Sequence, residues 1–129
     1  MDRVRKSRFF ISECPSEPVF VLDGIASEWL FASGFWTRIN RLMGTMYDQY
    51  EEDEAAPANL DQIAAQMCCE IRELEAREEE MIRFRCGWFS TGEAHTLETP
   101  RATLVAQLVS LQSFLERMAA SGTTLELSL

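Results

Sequence analysis

Four cysteines, Cys14, Cys68, Cys69 and Cys86, and a single histidine, His95, are the residues from which a metal site or a nucleophilic centre would have to be built. Structural zinc needs paired ligands at short spacings such as Cys-x2-Cys, so that four donors can close a tetrahedron. Here two cysteines are adjacent, the other two are isolated, and His95 sits between Ala94 and Thr96. No stretch has the ligand spacing of a calcium-binding helix–loop–helix. A thiolate nucleophile, Cys69 or Cys86 with His95 as base, rests on composition alone, because nothing in the spacing supplies an orienting acid. Gly34, Gly44, Gly87, Gly92 and Gly122 match neither of the glycine-rich phosphate fingerprints. The reading is therefore of no catalytic residue, no metal ligand and no cofactor. An enzyme would need a site assembled from scattered glutamates and arginines.

Carboxylates are abundant instead. The 129-residue chain carries a formal net charge of −9, and the charge is unevenly spread. Residues 48 to 80 hold 12 acids against Arg72 and Arg77, a local balance of −10 that leaves the remainder near neutral. The start is mildly basic, with Arg3, Arg5, Lys6 and Arg8 against Asp2. Direct nucleic-acid binding wants a clustered basic footprint and is not expected. The densest acidic run is "MYDQYEEDEAAP", residues 46 to 57, where Asp48, Glu51, Glu52, Asp53 and Glu54 stand beside Tyr47 and Tyr50.

These groups need elements to hold them. "RFFIS" (8–12) and "VFVL" (19–22) read as short strands separated by the proline-containing turn "ECPSEP". "DGIASEWLFASG" reads as a short helix capped by Asp23 or Ser27 and ended at Gly34. Phe35, Trp36, Ile39, Leu42, Met43, Met46 and Tyr50 recur at three- and four-residue steps, which predicts an amphipathic helix from Phe35 to about Glu52, with Ser33 as N-cap. "EDEAAPA" follows as a loop. A second helix is expected from Asn59, its N-cap, with Leu60, Ile63, Ala64, Met67, Ile71 and Leu74 buried and antiparallel to the first. Glu78, Glu79 and Glu80 fall at its end. "MIRFRCGWF" alternates as a half-buried strand, with Ile82, Phe84, Cys86 and Trp88 on one face. "STGEAHTLE" reads as loop, and Thr99 before Pro100 as the cap of a third long helix. That helix buries Leu104, Leu108, Leu111, Leu115 and Met118 and ends at Gly122. Leu125, Leu127 and Leu129 then alternate in a closing strand. The expectation is one α+β domain over residues 1–129: three main helices, including an antiparallel pair, on a small, mostly antiparallel sheet. The four thiols are expected to be free and mostly buried, Cys69 included.

On that layout the acids run against local stability. Asp48 to Glu54 would crowd the negative end of a helix macrodipole, and Asp48 and Glu52 would form a like-charge pair one turn apart. Solubility is one explanation. The other is a surface for a basic partner, where charge complementarity speeds encounter and sets register. Tyr50 falls in the apolar stripe and is assigned to the core, whereas Tyr47 lies on the flank. The candidate partner-binding residues are therefore Tyr47, Asp48, Glu51, Glu52, Asp53 and Glu54. A second cluster, Glu78 to Glu80, lies roughly 30 Å away at 1.5 Å per helical residue.

In size, acidity, single α+β domain and lack of a catalytic constellation the chain resembles the small immunity proteins of bacterial polymorphic or contact-dependent toxin systems. The helix-to-strand finish "PRATLVAQLVSLQSFLERMAASGTTLELSL" is similar to theirs. The resemblance implies a protein-binding inhibitor that masks a basic toxin domain, often a nuclease. Acidic secretion chaperones and nucleic-acid mimics share the same broad features and are the alternatives. No run approaches the roughly 20 apolar residues of a membrane span, and the start lacks the apolar core of a secretory signal. A cytoplasmic monomer or homodimer is expected.

Overall fold

The computed structural model describes residues 5–88 and 94–129. The first strand, β1 (Ser7–Ile11), turns back through the proline segment to β2 (Phe20–Leu22) as an antiparallel hairpin in which Phe9 faces Phe20. Asp23 then caps α1 (Gly24–Ala32), its carboxylate accepting from the Ile25 N–H at 3.2 Å. Gly34, at φ +81°, links α1 to α2 (Phe35–Met43) and takes the N-cap position expected of Ser33.

α2 ends nine residues after it starts. Gly44 adopts φ +68° and its N–H returns to the Asn40 carbonyl, a left-handed stop that a residue with a Cβ would strain to make. The helix expected to run on to about Glu52 is thus corrected to a short helix followed by an extended segment. The apolar spacing of Met46 and Tyr50 continued past a stop that only the glycine announced. The expected loop "EDEAAPA" is corrected too: Glu52–Ala55 is a strand, β3. α3 (Pro57–Glu75) begins at the proline, whose fixed φ and missing N–H suit a first helical turn, so Asn59 lies inside the helix instead of capping it. Leu60, Ile63, Ala64, Met67, Ile71 and Leu74 form its buried face.

β4 (Met81–Trp88) pairs with β5 (Ala94–Pro100) as a separate antiparallel hairpin, so residues 94–98, read as loop, are strand. Thr99 and Pro100 belong to β5, and α4 (Arg101–Ala120) is capped at Pro100, one residue beyond the expected cap Thr99. The expected loop residues 90–93, the side chain of Trp88, and Asp2 and Arg3 of the basic start lie outside the described residues. α4 closes with Gly122 at φ +70°, the Gly122 N–H bonding the Ala119 carbonyl and the Thr123 N–H that of Met118. This is the paired hydrogen-bond pattern of a glycine-terminated helix.

The closing strand, β6 (Leu125–Ser128), sits between β1 and β3, giving a four-stranded antiparallel sheet of order β2-β1-β6-β3. α3 and α4 are the long helix pair. The start of α3 (Pro57, Asp61) meets the end of α4 (Glu116, Ala119), and Arg101 at the start of α4 donates to the carbonyl of Glu75 at the end of α3. The antiparallel pair is therefore α3 with α4, not α2 with α3. The fold is α+β with antiparallel sheets, and the described residues form four helices where three main ones were expected. Leu108, Leu111 and Leu115 of α4 join Phe9, Leu125 and Leu127 of the sheet and the buried face of α3 in one core. No described helix is long and apolar enough to cross a membrane.

Candidate functional site

β3 is an edge strand: β6 covers one side of it, and it ends the sheet order on the other. Its first three residues, Glu52, Asp53 and Glu54, are exposed, and Ala55 alone is buried. Register decides which way each acid faces. Residues directly opposite in an antiparallel pair share a face, so Asp53 lies over Leu127 and Phe9, on the core side of the sheet. Glu52 and Glu54 share the outer face with Ser128, Glu126, Arg8 and Phe10. Glu54 stands directly across from Glu126, a like-charge arrangement that weakens a strand pair. Glu126 is a member of the acidic face that linear spacing could not reveal, since 72 residues separate it from Glu54 and only register joins them.

The approach to β3 is held by a side-chain clamp. Asn40, on the last turn of α2, donates from Nδ2 to the Tyr47 carbonyl at 2.8 Å. Its Oδ1 accepts from the Tyr47 N–H at 2.9 Å and from the Thr45 hydroxyl at 2.8 Å. One amide thus does for Tyr47 what a neighbouring strand would do. Tyr47 itself is 3% exposed, its ring edge-on to Trp36 at 5.7 Å and its hydroxyl directed at the Glu54 carbonyl, 3.4 Å away. Burial pushes its phenol above the ordinary value; a hydrogen bond with Asn59 opposes this, and the charge of Asp53 adds to it. Tyr47 is therefore a buried support and not the exposed aromatic expected on a helix flank.

Tyr50 takes the opposite correction. Assigned to the core by its place in the stripe, it is 75% exposed, with its guanidinium neighbour Arg5 stacked 4.9 Å from the ring centre. Its φ of +65° is unusual for a bulky side chain, and strain of this kind persists only where the surroundings enforce it. Here the Tyr50 N–H is bound to the Leu129 carbonyl, and Arg5 Nε donates to the same carbonyl. Met46 is 80% exposed nearby in the chain. Asp48 and Glu51 line a groove with Met46, Tyr47, Asn40 and Trp36, and the Trp36 indole N–H has no acceptor among the described residues. Asp48 and Asp53 each accept only from the backbone N–H of the following residue, and no hydrogen bond or ion pair engages Glu51, Glu52 or the Glu54 carboxylate among the described residues.

The helix-terminus argument for these acids falls with the helix, because Asp48 to Glu54 lie beyond Gly44, and Asp48 and Glu52 are not one helical turn apart. Glu78, Glu79 and Glu80 likewise follow the end of α3. The two clusters remain at opposite ends of that 19-residue helix. Cys14 and Cys69 are exposed and Cys68 and Cys86 are half-buried, so the expectation of mostly buried cysteines fails. Cys69 is exposed on the side of α3 away from its buried stripe. Among the described residues no group of three or more His, Cys, Asp or Glu is arranged to hold a metal ion. No protein-family model, no curated protein and no solved structure matches this chain.

Proposed function

We propose that this chain is a protein-binding inhibitor of the immunity type, which neutralises a basic bacterial toxin domain by laying the acidic sheet edge against it. The observation that carries the reading is the pairing of Glu54 with Glu126 on the open face of β3 and β6. A like-charge cross-strand pair opposes folding, and its neighbours Glu51, Glu52 and Asp53 gain no cation in return. Charge placed against the interest of the sheet is accounted for by a partner that supplies the missing positive charge. An edge strand gains protection from charge of either sign, which explains why acids are tolerated there but not why two face each other.

The contact surface comprises Asp48, Glu51, Glu52, Asp53 and Glu54, with Glu126 added, and with Tyr50 and Met46 as its large exposed side chains. Aromatic and methionine anchors ringed by charge are the usual material of interface centres. Tyr47 contributes by holding the segment.

The test is capture from native lysate at low and high salt, comparing the wild type with a variant carrying Lys at 51, 52, 53 and 54. A basic toxin-like domain should be retained by the wild type at low salt and released as salt rises. The variant should fold and bind that domain at least about tenfold more weakly at low salt. Equal affinity of the two proteins would defeat the surface assignment. A salt-resistant apolar partner would point to a secretion chaperone instead.

A further inference from the structure

A second site lies away from the acidic edge, where the ends of α1 and α3 meet the β4 strand. Trp29, Ser33, Glu70, Arg77, Arg83, Phe84 and Arg85 line a cleft of about 530 Å³, a size ordinary for small-molecule pockets. Three arginines converge there on a chain whose net charge is −9. The acid at its floor does not cancel them. Glu70 is 3% exposed, and both of its oxygens are taken, Oε2 by the Trp29 indole N–H at 2.9 Å and Oε1 by Arg38 Nη2. Its charge is matched by Arg38, so the field at the rim is set by the arginines together with Glu73 and with Glu79 and Glu98, which stand beside Arg77 and Arg83.

Two features suit an arriving anion. The Arg77 guanidinium carbon lies over the Trp29 ring, 5.3 Å from its centre, and its nearest carboxylate, Glu79, is 4.0 Å away. Arg83 binds Glu98 through Nε and Nη2, but both partners are solvent-accessible, and exposed pairs of this kind are weak and readily exchanged. Ser33 lines the same cleft, but its hydroxyl is shielded from solvent and so is not presented to a ligand there.

We propose that this cleft is an anion site, taking a small phosphate- or carboxylate-bearing ligand between Arg77 and Arg83. Planar guanidinium forks bind both oxyanion types in paired hydrogen bonds. The general acidity of the chain does little to oppose an anion in the cleft, since charges more than about 10 Å away are largely screened at ordinary salt.

The experiment is a titration of the intact chain with pyrophosphate, and separately with citrate, followed by NMR of the Trp29 indole N–H and the arginine side-chain N–H signals. Saturable shifts at Trp29, Arg77 and Arg83 are expected. Saturation by pyrophosphate alone identifies a phosphate ligand, and saturation by citrate alone a carboxylate. Arg83→Gln, on an exposed strand position, should weaken binding by about tenfold or more while leaving the fold intact. Arg117→Gln, on the exposed face of α4, should leave it unchanged. Failure of both anions to saturate, or equal weakening by the Arg83 and Arg117 variants, would overturn the site.

Discussion

Single residues decide how the acidic segment is presented, and Asn40 does so most directly. Its amide satisfies both backbone groups of Tyr47 and binds the Thr45 hydroxyl. Asn40→Ala leaves those groups unmatched and should cost roughly 2 kcal/mol, since abandoning partly buried polar groups is worth more than the net gain of making their bonds. Urea denaturation measures it directly, and an unchanged midpoint would mean that the clamp is idle. Glu28 gives a pH signature. Burial raises its carboxyl above the usual 4.5, while the hydrogen bond from Gln49 and the charge of His95 pull it down. Because the folded state then holds the proton more tightly than the unfolded one, stability falls as pH rises from about 4.5 through the raised value and is flat above it. Glu28→Gln keeps an oxygen for Gln49 and removes the ionisation. The variant should be more stable than wild type near neutral pH, and that advantage should vanish once pH drops below the carboxylate range. A constant difference across the range would show that the charge of Glu28 is not the cause.

At the scale of elements, β3 carries the most informative conflict. Glu54→Lys replaces a repulsive cross-strand pair with an attractive one opposite Glu126, so the fold should gain a few tenths to about 1 kcal/mol. On the proposed function the same change should weaken partner binding, and the opposed signs separate a surface kept for binding from one kept for solubility. A loss of stability would show that the register does not bring the two carboxylates together in solution. The same strand explains what could be read in the sequence and what could not. Periodicity found the buried faces of α3 and α4 and the alternation of β6, because each side chain there reports its own environment. It missed β3, since an edge strand of "EDEA" has almost no apolar alternation to show and its pairing partner lies some 70 residues away. It also carried α2 too far. Met46 and Tyr50 continue the helical spacing, and the left-handed stop at Gly44 is a backbone event that an apolar count does not register. The exchange of Tyr47 and Tyr50 follows from that one error: once the helix stops, the stripe that placed Tyr50 inside no longer exists. The anion cleft had only scattered arginines to announce it, because its walls come from α1, α3 and β4.

For the molecule as a whole, the strand that comes last in the sequence lies in the middle of the sheet. β6 joins β1 to β3, so the acidic edge is attached to the rest of the sheet through it. Leu125, Leu127 and Leu129 are all buried in the shared core. Burying each is worth roughly 1.5–3 kcal/mol, and together they approach the roughly 5–15 kcal/mol that holds an ordinary domain folded. The pairing of β6 with residues 8–11 spans nearly the whole chain, which makes the contact costly in loop entropy and places it late in assembly. Ending the chain after Thr124 should therefore abolish the cooperative unfolding transition, leave a compact state that binds hydrophobic dyes, and eliminate partner binding with it. Leu127→Ala is the milder form of the same test. It should lower stability by about 2–5 kcal/mol while leaving residual folded protein that still binds, because the register of Glu54 against Glu126 depends on the strand being present and not on any one leucine. If the truncated chain instead unfolds cooperatively and retains its partner, the acidic edge does not need β6, and its geometry must come from the Asn40 clamp and α3 alone.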